Sequence, residues 1–331
     1  MSKIFAFSAD TYANAAQMLA SSAPGNLWQC RQQAPGIGVN NGPNGSGNAF
    51  IPGLGANSFY FQGSSPVSGI TYLHQNFNSS NNTQNIVYFS DSTFGEQCHV
   101  VLETSVGTVR LYRGATLLAT SAVNVVPINA YFSAVIRMAI GASATVDVFI
   151  DGISVGGQFP FTGNTQQSSN ASWDQLGYTT IGNAYVSDIA CYTTNLGPIR
   201  VRALVPTANG GTITWAPLSG SNYQMVDGGI QTANYNSSST VGQIDDYVMQ
   251  TISGTIYGVS MMSYAWASDS GARSYSNYVL SGSSTTLGST RSLGTGALLY
   301  RDDIDNDPAT GVPWASAAAL NAARPGYKLV A

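Results

Sequence analysis

The chain has 331 residues, 44% of them hydrophobic and 11% aromatic, which is ample material for a core, but only 8% charged, against a typical value near ~25%. Charge-driven disorder is excluded. With two lysines and ten arginines the surface must consist largely of uncharged polar groups. A net charge of −4 with scattered basic residues excludes a nucleic-acid-binding stripe and disfavours an anionic membrane surface. At this length two domains, or one large all-β unit, are expected.

The first residues, Met1–Asp10, carry too short an apolar segment for a secretory leader, so synthesis and folding in a cytoplasm are expected. No apolar run reaches the ~18 residues of a spanning helix; even Ile252–Ala267 is broken by Ser, Gly and Thr. Asp10–Ala20 predicts a short helix capped by Asp10. Ala34–Ser58 is a Gly/Asn/Pro-rich loop whose Gly36-Ile37-Gly38 lacks the third glycine of a phosphate loop. Short β-branched or aromatic segments bounded by turn residues then predict strands at Phe59–Gln62, Ile70–Phe77, Ile86–Ser90, Cys98–Thr104 and Thr108–Tyr112. In the last of these, alternation places Arg110 and Tyr112 on a wet face and Val109 and Leu111 on a packed one.

The meander continues through Arg113-Gly114-Ala115 into Thr116–Ala122, Ala130–Met138 and Thr145–Ile150. Asp151-Gly152 between apolar runs predicts a tight hairpin, because both residues tolerate positive φ. Further strands are expected at Tyr178–Ile181 and Tyr185–Tyr192, and breaker residues at Asn195-Leu196-Gly197-Pro198 mark a boundary. Residues 1–195 and 196–331 are thus expected to form two β-rich domains, with a short helix over Ser316–Ala323 in the second.

Catalytic chemistry finds little support. The chain has two glutamates, Glu96 and Glu103, whose odd separation would put them on opposite faces of one regular strand. His74 and His99 each fall inside a predicted strand, as packed histidines do. Asp147 reads as a solvent-facing residue. Asp302-Asp303-Ile304-Asp305-Asn306-Asp307-Pro308 imitates the start of a calcium loop, but Pro308 and Trp314 stand where Gly and Glu are needed, so a solvated acidic loop is expected. Cys30, Cys98 and Cys191 form no ligand pattern and are expected to be free thiols. No catalytic residue, cofactor or metal is expected. The residue set with glycan-binding ingredients is Trp173, Asp174 and Gln175, an aromatic face and polar groups beside the polar loop Thr162–Ser172.

From Gly107 to Val155, the order "strand, Leu-Tyr-Arg-Gly-Ala, strand, loop, long strand, Val-Asp-Val-Phe-Ile-Asp-Gly-Ile-Ser-Val", followed by Tyr185–Ala190, resembles the concanavalin-A-like, or laminin-G-like, jelly-roll family. Tyr131-Phe132 stands where many relatives carry Trp at the start of the long strand, which keeps an aromatic anchor. The resemblance implies an all-β sandwich over roughly the first 195 residues.

A second ordered series, Gly197–Gly210, Thr214-Trp215-Ala216-Pro217, Asn222–Asp227, Tyr257–Ala267, Gly271-Ala272-Arg273 and Asp307–Trp314, resembles the C-terminal half of tailed-bacteriophage virion proteins. It implies a non-enzymatic structural protein of the virion, in tail fibre or tip, collar or head decoration, assembled as a homo-oligomer with other virion proteins. Host-surface glycan binding is the alternative duty, and a polysaccharide depolymerase the remoter one.

Overall fold

The computed structural model describes residues 3–7, 28–31, 36–38, 49–51 and 59–331, apart from 81, 94, 183 and 229–231. The helix expected over Asp10–Ala20 and most of the 34–58 loop lie outside the described residues, as does the side chain of Cys30. The described residues divide into two compact units, one up to Arg202 and the other from Ala203 on.

The first unit contains β1 (Lys3–Phe7), β2 (Trp28–Arg31), β3 (Gly36–Gly38), β4 (Ala49–Ile51), β5 (Phe59–Ser68), β6 (Thr71–Ser79), β7 (Gln84–Asp91) and β8 (Gly95–Glu103). It continues with β9 (Thr108–Arg113), β10 (Thr116–Thr120), β11 (Ala130–Met138), β12 (Ala144–Ile150), β13 (Ile153–Ser154), β14 (Phe161–Gly163), β15 (Ser172–Ile181) and β16 (Ala184–Tyr192). One antiparallel sheet runs β13-β12-β11-β6-β16-β4-β3, with β1 also on β16 and β14 also on β12. The other runs β10-β9-β8-β7-β15-β5-β2. The pair forms a jelly-roll sandwich.

Period-2 patterning decides which faces meet. In β7 the residues Asn85, Val87, Phe89 and Asp91 are buried while Gln84, Ile86, Tyr88 and Ser90 are half-buried on the outside. Contacts crossing the core join the sheets: Phe50 to Phe61 and Phe5 to Trp173 edge to face, Cys98 Sγ to Met138 Sδ at 3.5 Å, and Tyr178 donating to Gln75 Oε1 at 2.6 Å. Cys98 and Cys191 are buried free thiols, and burial raises the pKa of both. At the β12–β13 hairpin Asp151 and Gly152 take φ of 49° and 85°, the left-handed pair that a tight hairpin needs. Asp147 is buried instead of facing solvent, because its carboxylate accepts from Val148 N and Ser154 Oγ.

The first unit runs past the expected break at Asn195–Pro198 for a specific reason. A bulge in β16 between Ser187 and Ala190 holds Asp188 at φ 53°. Its carboxylate accepts from Arg200 Nε (2.8 Å) and Val201 N (2.9 Å). Asn76 donates to both Asp188 and the Ile199 carbonyl, and His74 Nδ1 donates to the Gly197 carbonyl at 2.9 Å. Residues 197–201 are therefore bound to the outer face of β6 and β16.

The second unit comprises β17 (Pro206–Ile213), β18 (Ala216–Pro217), β19 (Asn236–Ser237), β20 (Ile244–Met249), β21 (Ser260–Ala265), β22 (Arg273–Ser281), β23 (Ser284–Leu287), β24 (Arg291–Leu293), β25 (Leu298–Asp303), α1 (Ala317–Ala322) and β26 (Arg324–Leu329). Its main sheet runs β17-β20-β26-β22-β23, with β24 on β22, so the last strand fills the middle. Ser316 caps α1 by accepting from Ala319 N. Trp314 packs with Val279, Ile304 and Ala323 and donates to the Ile304 carbonyl at 2.7 Å.

Buried carboxylates organise this unit. Asp245 accepts from Thr214 N, Trp215 N, Asn222 Nδ2 and the Tyr247 hydroxyl. The 302–308 segment is not a solvated loop. Asp302 is buried against Arg291 and Asn277, Asp305 accepts from Val259 N, and Asp307 accepts from Ala309 N. Each carboxylate is held by a donor within the fold, which is what burial of a charge requires.

Candidate functional site on the outer face of the β10–β2 sheet

The residues singled out in the sequence do not assemble a surface site. Trp173 is 1% exposed and sits edge to face against Phe5 and Phe89, at centroid distances of 6.5 and 5.2 Å. The register shift between Trp173 and Gln175 turns the indole inward. Asp174 is buried and accepts from the backbone N and hydroxyl of Ser92. The polar loop beside them spends its groups on the fold: Gln97 binds Gln167 and Ser168, and the Thr165 hydroxyl donates to the Ala139 carbonyl. Gln175 alone of the three remains on the outer face, half-buried.

That outer face carries a different constellation. Cross-strand pairing sets Tyr60, Gly177, Tyr88, His99 and Tyr112 in one row across β5, β15, β7, β8 and β9. The His99 ring stacks on Tyr112 at 4.9 Å and 13°, and lies 5.2 Å from Tyr88. Each such pair contributes roughly 0.5–1.5 kcal/mol beyond area burial, so the row is a rigid, half-buried aromatic surface. His99 Nδ1 donates to Glu96 Oε1 at 2.7 Å, which fixes the ring. Burial, and then the Glu96 charge, raises the Tyr88 phenol above its ordinary pKa, so it stays a neutral donor.

The adjoining row on one side is Gln62, Gln175, Ser90 and Glu96. On the other side Thr179, Ile86, Val101 and Arg110 follow, with Arg110 in an ion pair to Glu103 at 2.6 Å. The face is thus an aromatic stripe flanked by amides, hydroxyls and one carboxylate, with the cation neutralised beside it.

Glu96 and Glu103 share this face, contrary to the parity expected from their spacing. An extra residue in β8 opposite the Phe89–Ser90 step restores both to the outside. They remain about 20 Å apart at ~3.3 Å per residue, beyond the ~9.5 Å limit for a glycosidase carboxylate pair. Among the described residues no three His, Cys, Asp or Glu side chains converge as a metal site would require. No helix of the described residues is long and apolar enough to cross a membrane.

Each residue of the aromatic row lies on the outward parity of its strand, which is a local signal. Their alignment is not local, because it depends on the register of four strand pairs. The fold and face define a jelly-roll sandwich with a half-buried aromatic and polar outer face.

Solved structures similar to the chain include a protein of unknown function with a galectin-like fold from Bacillus subtilis, 12% identical over 58% of this chain and 96% of that one, with a TM-score of 0.36. A carbohydrate-binding module from Bacillus subtilis is 12% identical over 50% and 94%, with a TM-score of 0.33. A conserved carbohydrate esterase from a Shiga toxin-encoding bacteriophage is 16% identical over 57% and 97%, with a TM-score of 0.35. No protein-family profile and no curated protein matches the chain.

Proposed function

We propose that this chain is a non-enzymatic virion protein of a tailed bacteriophage, assembled as a homo-oligomer with other virion proteins in the host cytoplasm, whose jelly-roll unit binds host-surface glycan. The virion role is supported by the ordered motif series from Gly197 to Trp314. The glycan role is carried by one observation, the row of Tyr88, His99 and Tyr112 held side by side on an outward sheet with Glu96 beside it. A sugar ring can lay its C–H face along the apolar edges of these rings, while fixed polar groups read its hydroxyls.

The test has two arms. Purified full-length chain is measured against an immobilised panel of bacterial and synthetic glycans, alongside Tyr112→Ala and His99→Ala. Saturable binding by the parent chain that falls at least tenfold in both variants, with unchanged circular dichroism, is expected. A panel with no binder would remove the glycan role. Antibodies to the chain should label intact particles, and sedimentation should give a multimer; absence from purified particles would reject the virion role.

A further inference from the structure

On the other sheet of the sandwich, Arg137 of β11 is a half-buried cation that no described residue answers. Phe132, Ala134, Ile136 and Met138 take the inward parity of this strand and are buried, so Arg137 belongs to the outer face. Its Nε is shut off from solvent and has no acceptor. Its Nη groups make no ion pair or hydrogen bond among the described residues, and they are not among the side-chain atoms closed to solvent. The other partly buried arginines of this unit are answered, Arg110 by Glu103 at 2.6 Å and Arg200 by Asp188 at 2.8 Å. A guanidinium keeps its charge at any working pH. Withdrawing it from water without a counter-charge is unfavourable.

The carboxylates around Arg137 are spent elsewhere. Asp147 stands directly across from it on β12. Yet Asp147 Oδ1 accepts from Val148 N at 2.9 Å and Ser154 Oγ at 3.1 Å, and the carboxylate makes no ion pair with Arg137. Asp151 accepts from Ser133 N, and Asp188 from Arg200 and Val201. On the opposite flank Tyr72 of β6 pairs with Arg137 in the ladder, but the guanidinium makes no ring contact with it. The fold thus supplies neither an anion nor an aromatic face, and the accessible part of the cation is its Nη end. Presented end-on, a guanidinium offers two parallel N–H donors that match two oxygens of one carboxylate or phosphate. Water supplies acceptors there but no charge, whereas an oxyanion supplies both.

We infer that Arg137 anchors an oxyanion site on the outer face of the β13–β3 sheet, where Nη1 and Nη2 take a carboxylate or phosphate group of a surface polymer end-on. The shared chemistry is a pair of anionic oxygens, carried by a uronic-acid sugar or by a polyol phosphate. The site lies on the sheet opposite the aromatic row and does not rest on the reading of that row. Lysine at this position keeps the charge and loses the paired donors, so it should retain only part of the affinity.

The experiment uses the full chain and titrates inorganic phosphate, a glucuronic-acid disaccharide and glycerol phosphate by calorimetry in a chloride buffer of constant ionic strength. The variants are Arg137→Met, Arg137→Lys and Asp147→Asn, with thermal midpoints measured in parallel. Saturable binding by the parent chain, a loss of at least tenfold in Arg137→Met, a smaller loss in Arg137→Lys and no loss in Asp147→Asn are expected, with the midpoint of Arg137→Met no lower than that of the parent. Tighter binding of the disaccharide than of glycerol phosphate assigns the acidic sugar as the source, and the reverse order assigns the phosphate. A parent chain that binds none of the three overturns the site, whatever the variants do. Equal binding in the parent and Arg137→Met shows that the anion sits elsewhere, which also overturns it. Midpoints lowered alike in Arg137→Met and Asp147→Asn, with no anion bound by the parent, would show that Asp147 is the counter-charge. Binding of neutral glycans that depends on Tyr112 is a separate readout and stands or falls with the aromatic row alone.

Discussion

At the scale of single residues, chemistry that looks available on a sequence is often consumed by the fold. Trp173 has the composition of a sugar platform, yet it fills the space between Phe5 and Phe89. Trp173→Ala should therefore cost about 3–5 kcal/mol of stability, read by denaturant unfolding, whereas Tyr112→Ala on the outer face should cost far less. His74 is enclosed by the Tyr192 ring and the Gly197 carbonyl. Burial lowers its pKa below 6.5, against the opposing pull of the Gly197 and Thr194 carbonyls. The folded state thus prefers the neutral ring. Its contribution is complete above about pH 6.5 and is lost as the pH falls from there through the lowered value. The thermal midpoint should fall across this window, and His74→Gln should flatten that slope; an identical slope in the variant would exclude His74 as its origin.

At the scale of elements, close backbone approach sets conditions that no propensity shows. In β26, Gly326 pairs with Asp246 of β20 and Tyr278 of β22, and a Cβ there would overlap the Asp245 carbonyl. Because β26 lies in the middle of its sheet, the obstruction cannot be relieved by bending an edge. Gly326→Ala should abolish the cooperative unfolding transition of the second unit in calorimetry while the jelly-roll transition persists. Gly210 of β17 is similarly constrained by the Asp246 carboxylate. The hairpin at Asp151-Gly152 shows the opposite case, a requirement met by two adjacent residues and visible without any neighbour.

At the scale of the whole molecule, the boundary between the two units falls, among the described residues, at Arg202–Ala203, and the segment 197–201 belongs to the first. Arg200 and Arg202 are both exposed, but Asp188 holds Arg200 and Val201 in place. Brief trypsin treatment should cut after Arg202 and release a fragment beginning at Ala203, identified by mass. Asp188→Ala should open a second cut after Arg200. Early cleavage after Arg200 in the parent chain would show that the carboxylate does not hold this segment.

The all-β class, the alternation of Val109 to Tyr112, the Asp151-Gly152 hairpin and the short helix over Ser316–Ala323 were legible in the sequence, because side-chain period and turn chemistry are properties of a few adjacent residues. The outward parity of Tyr112 was legible in the same way. Only the tertiary structure decided that Tyr88, His99 and Tyr112 stand side by side, that Glu96 and Glu103 share a face, and that Trp173 is buried. Each of these turns on register: a bulge in β8 or β15 shifts every following side chain to the other face, and a row across five strands exists only once four pairings are fixed. Pairing between strands distant in the chain is set by the packing of the whole core, so no local stretch of sequence contains it.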